Sequence, residues 1–152
     1  MEKTGKKKFG FLIKCLYGAH REYVDNLLKQ YDLTMAQFSV LIEVLKAEDH
    51  NIELSQRDLE RKLQVSNPTM TGIVNRLEGK GLVQRVFCSS DKRIRHIHST
   101  PKARAMDEKL KKMFEQFDRY MVADFTKQEE EQFLTYLERA YHNIKNKEGN
   151  HD

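Results

Sequence analysis

Between Ser66 and Arg95 the chain sets a short capped helix directly before a hairpin rich in arginine, and few folds accommodate that succession. The run S-N-P-T-M-T-G-I-V-N-R-L-E-G-K-G opens on a capping serine, holds its proline in the first turn and meets a glycine stop at Gly81. Met70, Ile73, Val74 and Leu77 recur at helical spacing and predict a buried face. Thr69, Thr71, Gly72, Asn75 and Arg76 are left to look outward. That face is polar and carries no acid, which suits a phosphate-lined groove where short hydroxyl and amide groups approach base edges. L-V-Q-R-V-F-C, S-S-D-K-R-I and R-H-I-H-S-T then read as strand, turn, strand.

The elements around this stretch read as its mount. Leu54 to Asp58 carries a capping pattern at Ser55, and Leu59 and Leu63 give a short helix that stops before Val65-Ser66. This is the first helix of a helix-turn-helix whose second is the Ser66 helix, and the tight connection projects the second away from the body. Upstream, Thr34 with Gln37 matches a capping box, and Met35, Phe38, Val40, Leu41, Val44 and Leu45 make a core face. Before it, Phe9 to about Tyr31 predicts a long helix with Phe9, Leu12, Ile13, Leu16, Tyr17, Tyr23, Val24, Leu27 and Leu28 in one broad apolar stripe. A stripe that wide exceeds what a small domain buries, and it points to a second chain. Downstream, Thr100-Pro101 restarts a helix bearing Met106, Leu110, Met113, Phe114, Phe117, Tyr120 and Met121. Thr126 with Glu129 caps another, bearing Phe133, Leu134, Leu137, Ala140, Tyr141 and Ile144.

Length and charge bound the rest. A chain of 152 residues with 39% apolar and 33% charged residues fits one compact domain. No apolar run approaches the roughly 20 residues of a membrane span, and the basic lead-in from Lys3 to Lys8, read as a solubilising segment, lacks a signal-peptide core. The expectation is a cytoplasmic protein without a membrane partner. Cys15 and Cys88 lie far apart and outline no disulfide framework. The net charge of +4 is unevenly spread, since Lys80 to Arg104 holds seven basic residues against one acid. A basic field beside a helix-turn-helix is the footprint expected of phosphate contact, although a charged, solvated surface is the plainer reading of the cluster alone.

R-L-E-G-K-G-L-V at Arg76 to Val83 and D-K-R-I-R at Asp91 to Arg95 resemble the helix-to-wing junction and the aspartate-x-arginine wing signature of the multiple-antibiotic-resistance regulator (MarR) family, and the resemblance covers nearly the whole chain. It implies a mainly α fold with a small β-hairpin wing. One winged helix-turn-helix lobe would span about residues 34–100, within a single MarR-like domain of residues 1–152. Helices at about 9–31 and 101–147 would interleave with those of a second subunit as a dimerisation body. It implies further that Arg93 enters the minor groove while Asp91 fixes its orientation. In this reading Thr69, Thr71, Asn75 and Arg76 meet bases or phosphates in the major groove. Ser66 and Asn67 present the helix N-terminus to a phosphate, Arg93 reads minor-groove width, and Arg85, Lys92 and Arg95 hold the DNA backbone. A homodimer would require a pseudo-palindromic operator with half-sites about 34–36 Å apart. Two departures stand out. Gly72 replaces a longer side chain, so a base contact is lost or the bare backbone comes closer to DNA. Glu60 stands where the family has a small residue at the helix–helix contact, so it points past that contact or the pair is splayed.

Family members release DNA when a phenolic or other amphipathic compound binds between the two lobes; by position Tyr17, His20, Arg21, Met35 and Phe38 line such a cleft, or are ordinary core residues. Cys15 has two readings, a redox-sensing thiol displaced by half a turn from that of a peroxide-sensing branch, or a buried hydrophobe. His96 and His98 share one strand face at a spacing that can bind metal, but no third ligand is evident nearby, so no metal and no cofactor is expected. The chain has no glycine-rich phosphate loop, G-x-S-x-G or H-E-x-x-H, so an enzyme is not expected. The competing class is a winged-helix module that docks proteins, for which an acid-free recognition face and the Asp91–Arg95 cluster would be needless.

Overall fold

In a computed structural model, residues 8–148 are described; Lys3 to Lys7 of the basic lead-in lie outside them. The elements are α1 (Phe9–Gln30), α2 (Met35–Asp49), β1 (Leu54–Ser55), α3 (Gln56–Leu63), α4 (Asn67–Gly79), β2 (Val83–Phe87), β3 (Arg95–Ser99), α5 (Pro101–Met121) and α6 (Lys127–Glu148). By its contacts the chain divides into two compact units, Met1–Phe114 and Glu115–Asp152. The boundary falls inside α5, and α1 belongs with the helix-turn-helix elements in the first unit.

α2 is the hub of the first unit, packing against α1, α3, α4 and β3. Its start is set locally: Thr34 Oγ1 accepts from Gln37 N at 3.2 Å and Gln37 Oε1 accepts from Thr34 N at 3.4 Å. Val40, Leu41, Val44 and Leu45 are buried on it, with Leu59 of α3, Met70, Ile73, Val74 and Leu77 of α4, and Val24, Leu27 and Leu28 of α1 closing around them. Each such side chain contributes about 1.5–3 kcal/mol on leaving water. Met35 departs from the predicted core face, since it sits on the first turn and stays 42% exposed. Tyr23 anchors α1 to α5 by donating to the Met113 carbonyl at 2.8 Å.

The connection from α3 to α4 follows the expected tight turn. Ser55 and Asp58 form a reciprocal cap on α3, and α3 ends at Gln64 in the left-handed region (φ 52°), with Val65 N donating to Glu60 O at 3.0 Å. Leaving α4, the chain turns through Lys80 and Gly81, whose φ of +69° costs a residue without Cβ little. The wing is not a two-stranded hairpin alone. β1 adds a third strand in the order β1-β3-β2, all antiparallel, pairing Leu54 with Ile97 and Ser55 with His96. Two residues are too short a strand to show as a period in sequence, and Ser55 at its end doubles as the α3 cap.

In the second unit Thr126 and Glu129 cap α6 reciprocally, and Phe125 stacks edge-on with Phe133 at 5.5 Å. Leu134, Leu137, Tyr141 and Ile144 of α6 are exposed in the isolated chain, as are Phe9, Phe11, Leu12, Ile13, Leu16 and Tyr17 of α1. Among the described residues no helix is long and apolar enough to cross a membrane.

Candidate nucleic-acid interface

α4 is seated on the core by its apolar face and turns the opposite face out. Ser66, Asn67, Thr69, Asn75 and Arg76 are exposed, while Thr71 is half-buried and accepts from Gln56 Nε2 at 2.8 Å. Ser66 does not cap the backbone; its hydroxyl donates to Thr69 Oγ1 at 3.0 Å. The first-turn N–H groups of α4 therefore have no side-chain cap, whereas α2 and α3 are closed by capping boxes. Gly72 lies beneath Arg76: a Cβ there would sit 3.9 Å from the Arg76 guanidinium, an ordinary contact.

Acids do reach this face, contrary to the sequence expectation. Glu78, in the last turn of α4, accepts from Arg85 Nη1 at 2.5 Å, and Asn75 Oδ1 accepts from Arg85 Nη2 at 2.7 Å. Only 15% of the Arg85 side chain is exposed, so it serves as a strut between α4 and β2. Glu60, half-buried on α3, bridges to α4, accepting from Gln56 at 3.2 Å and from Asn67, the first residue of α4, at 2.7 Å. Leu59 beneath it is fully buried, so the helix pair is not splayed.

The basic cluster likewise divides once folded. Lys80 is drawn inward to the Asp32 carboxylate and carbonyl and to Gln37 Oε1, and Arg104 clamps Glu48 and Asp49 at 2.7 and 2.6 Å. Burial pushes Glu48 up, but hydrogen bonds from Ser99 and Arg104 outweigh it and hold the carboxyl below its ordinary value. These cations staple the base of the wing to α2 and the connections around it. Lys92, Arg93 and Arg95 stay exposed toward its tip, with the Arg95 guanidinium over the Phe87 ring at 4.7 Å.

At the tip, Asp91 accepts from Arg93 N at 2.9 Å and from Arg93 Nε at 3.2 Å. Those bonds hold the carboxyl below its ordinary value. The Arg93 side chain is nevertheless 92% exposed. Asp91 thus fixes the root of a guanidinium that reaches into solvent. Between this tip and the helix-turn-helix lies a groove of about 590 Å³, lined by Ser55, Gln56, Arg57, Glu60, Asn67, Arg93, Ile94 and Arg95. Gln56 and Arg57, on the first turn after the Ser55 cap, are interface candidates beyond those the sequence predicts; their signal is that place beside the helix-turn-helix.

On another side of the first unit, Tyr17, His20, Arg21, Met35 and Phe38 come together, joined by Val24 and Phe114, around an apolar cleft of about 370 Å³. Cys15 is exposed on α1 and not buried. Cys88, half-buried near the wing tip, shares a hydrogen bond of 3.0 Å with Ser90. That bond and those from the Asp91 and Ser90 backbone draw its thiol below the ordinary value.

The sequence model of the MarR family matches residues 31–94, from the end of α1 to the wing tip. The uncharacterized HTH-type transcriptional regulator YdgJ of Bacillus subtilis (strain 168) is 33% identical over 105 residues, covering 69% of this chain and 64% of that protein. This chain belongs to the MarR family. Solved structures that share its fold include two of MepR. One is MepR, a transcription regulator of the Staphylococcus aureus multidrug efflux pump MepA, with a TM-score of 0.81 at 22% identity over 91% of this chain and 99% of that one. The other is an S. aureus MepR–DNA complex, with a TM-score of 0.74 at 23% identity over 90% and 99%. The matched MarR segment contains α4 and the Asp91–Arg93 pair, the two features that face outward together.

Proposed function

We propose that this MarR-family chain is a homodimeric regulator of transcription that binds a pseudo-palindromic double-stranded operator in the cytoplasm. The observation that carries it is the Arg93 guanidinium, fixed at its root by Asp91 and exposed beyond it, beside an α4 that presents Asn67, Thr69, Asn75 and Arg76. α4 fits a major groove and Arg93 the adjoining minor groove, with Lys92 and Arg95 against phosphates. The likeness in fold to a DNA-bound MepR supports the same reading. The apolar surfaces left open on α1 and α6 support the dimer, because patches of that kind on a soluble chain mark an interface. The regulator acts as a repressor released by a small amphipathic compound, and the Tyr17–Phe38 cleft, apolar with a histidine and an arginine at its wall, has a size that suits such a ligand.

A gel-shift titration on DNA directly upstream of the coding region tests this at two salt concentrations. One dimer is expected per site. If it neutralises about six phosphates, affinity should fall by about a thousandfold between 50 and 200 mM salt. A salt-insensitive or sequence-indifferent shift would instead favour a winged-helix module that docks proteins.

Glu78 yields a second expectation. Glu78→Gln removes a negative charge beside the phosphates and loosens Arg85, so operator affinity at low salt should rise several-fold. Equal or weaker binding would mean that Arg85 serves DNA recognition only as a strut holding Asn75.

A further inference from the structure

We propose that Glu53, His96 and His98 form a binding site for a divalent transition-metal ion of zinc-like chemistry at the root of the wing. His96 and His98 are two residues apart on β3, so both imidazoles leave the same face of the sheet. The pairing of Ser55 with His96 and Leu54 with Ile97 carries the chain on so that Glu53 arrives beside them. Glu53 Oε2 lies 3.2 Å from His96 Nδ1, and Oε1 lies 3.5 Å from His98 Nε2. One ligand atom from each of the three residues falls within 4.8 Å of the other two. A tetrahedral ion with bonds of about 2.0–2.1 Å needs donors about 3.3 Å apart, so side-chain rotations that bring one Glu53 oxygen and the two imidazole nitrogens, now within 4.8 Å of one another, to that spacing would fill three of its four positions.

The surroundings prepare the donors. His98 Nδ1 faces Glu48 Oε1 at 3.7 Å, so Nε2 is the nitrogen turned toward Glu53. Glu48 is itself held by Ser99 N at 2.7 Å and by Arg104 at 2.7 Å, so it is not drawn into the site. Two imidazole nitrogens with one carboxylate oxygen suit zinc, cobalt, nickel or copper, whereas calcium and magnesium prefer oxygen ligands throughout. His96 and His98 are half-buried and Glu53 is exposed, which leaves solvent access for the ion. Since Glu53 precedes β1 and the histidines lie on the strand descending from the wing tip, a bound ion cross-links the α2–β1 connection to the wing.

Titration of Co²⁺ and Zn²⁺ into the untagged full-length protein tests the site. One equivalent of Co²⁺ per chain is expected, displaced by Zn²⁺, with a rise in melting temperature because the ion binds the folded state. The paired variant His96→Gln/His98→Gln should weaken binding at least about a hundredfold and Glu53→Gln about tenfold, while His142→Gln on α6 should leave it unchanged. Should the paired variant fail to fold, Glu53→Gln and the imidazole NMR resonances of the wild type decide, two of which should shift together on Zn²⁺ addition. Binding of less than one equivalent overturns the proposal, as does Glu53→Gln binding as tightly as wild type with no paired histidine shift.

Discussion

Arg93→Ala is expected to weaken operator binding by on the order of a hundredfold per dimer while leaving melting temperature and dimer content unchanged. A well-formed arginine contact with DNA is worth about 1–3 kcal/mol, roughly tenfold in affinity, and a dimer presents two wings. The side chain is 92% exposed and bonded only to Asp91 two residues away, so its removal takes nothing from the core. Quantitative gel shift beside a thermal melt separates the two effects. Unchanged affinity would remove the wing from the interface and leave α4 alone to account for any sequence preference.

Leu77→Ala is expected to do the opposite, costing about 2–5 kcal/mol of stability through the cavity it opens. Leu77 is fully buried on the inward face of α4, beside Val74 and Met70. At about 2–4 °C per kcal/mol for a chain of this size, the melting temperature should drop by about 4–20 °C. DNA affinity measured well below the new transition should change little. A melting temperature within a degree or two of wild type would mean that α4 is not anchored through this face. The two variants together separate the helix's role as a mounted reader from the wing's role as a contact.

The elements that were legible in the sequence are those whose cause is local. The Thr34–Gln37, Ser55–Asp58 and Thr126–Glu129 caps are four-residue patterns, and each closes as its spacing predicts. The buried stripe of α4 follows from a 3.6-residue period, and the Asp91–Arg93 pair spans only two positions. Matters that needed distant residues were not legible. Arg85, read as a DNA-backbone contact, is held by Glu78 and Asn75, because the turn through Gly81 folds β2 back along α4. Lys80 and Arg104 count toward the basic field in sequence but meet Asp32, Glu48 and Asp49 from the α2 region.

By itself, then, the chain determined its helices, its caps, the inward and outward faces of α4 and the wing-tip pair, since each is fixed by groups within a turn or two of one another. Only the tertiary structure decided which cations remain exposed and which neutralise acids. It also decided that Glu53 joins His96 and His98, more than forty residues further along. That meeting depends on the antiparallel register of β1 on β3. Register is tied to the packing of β3 against α2 and of β1 against α3, and no window of sequence around either histidine contains it.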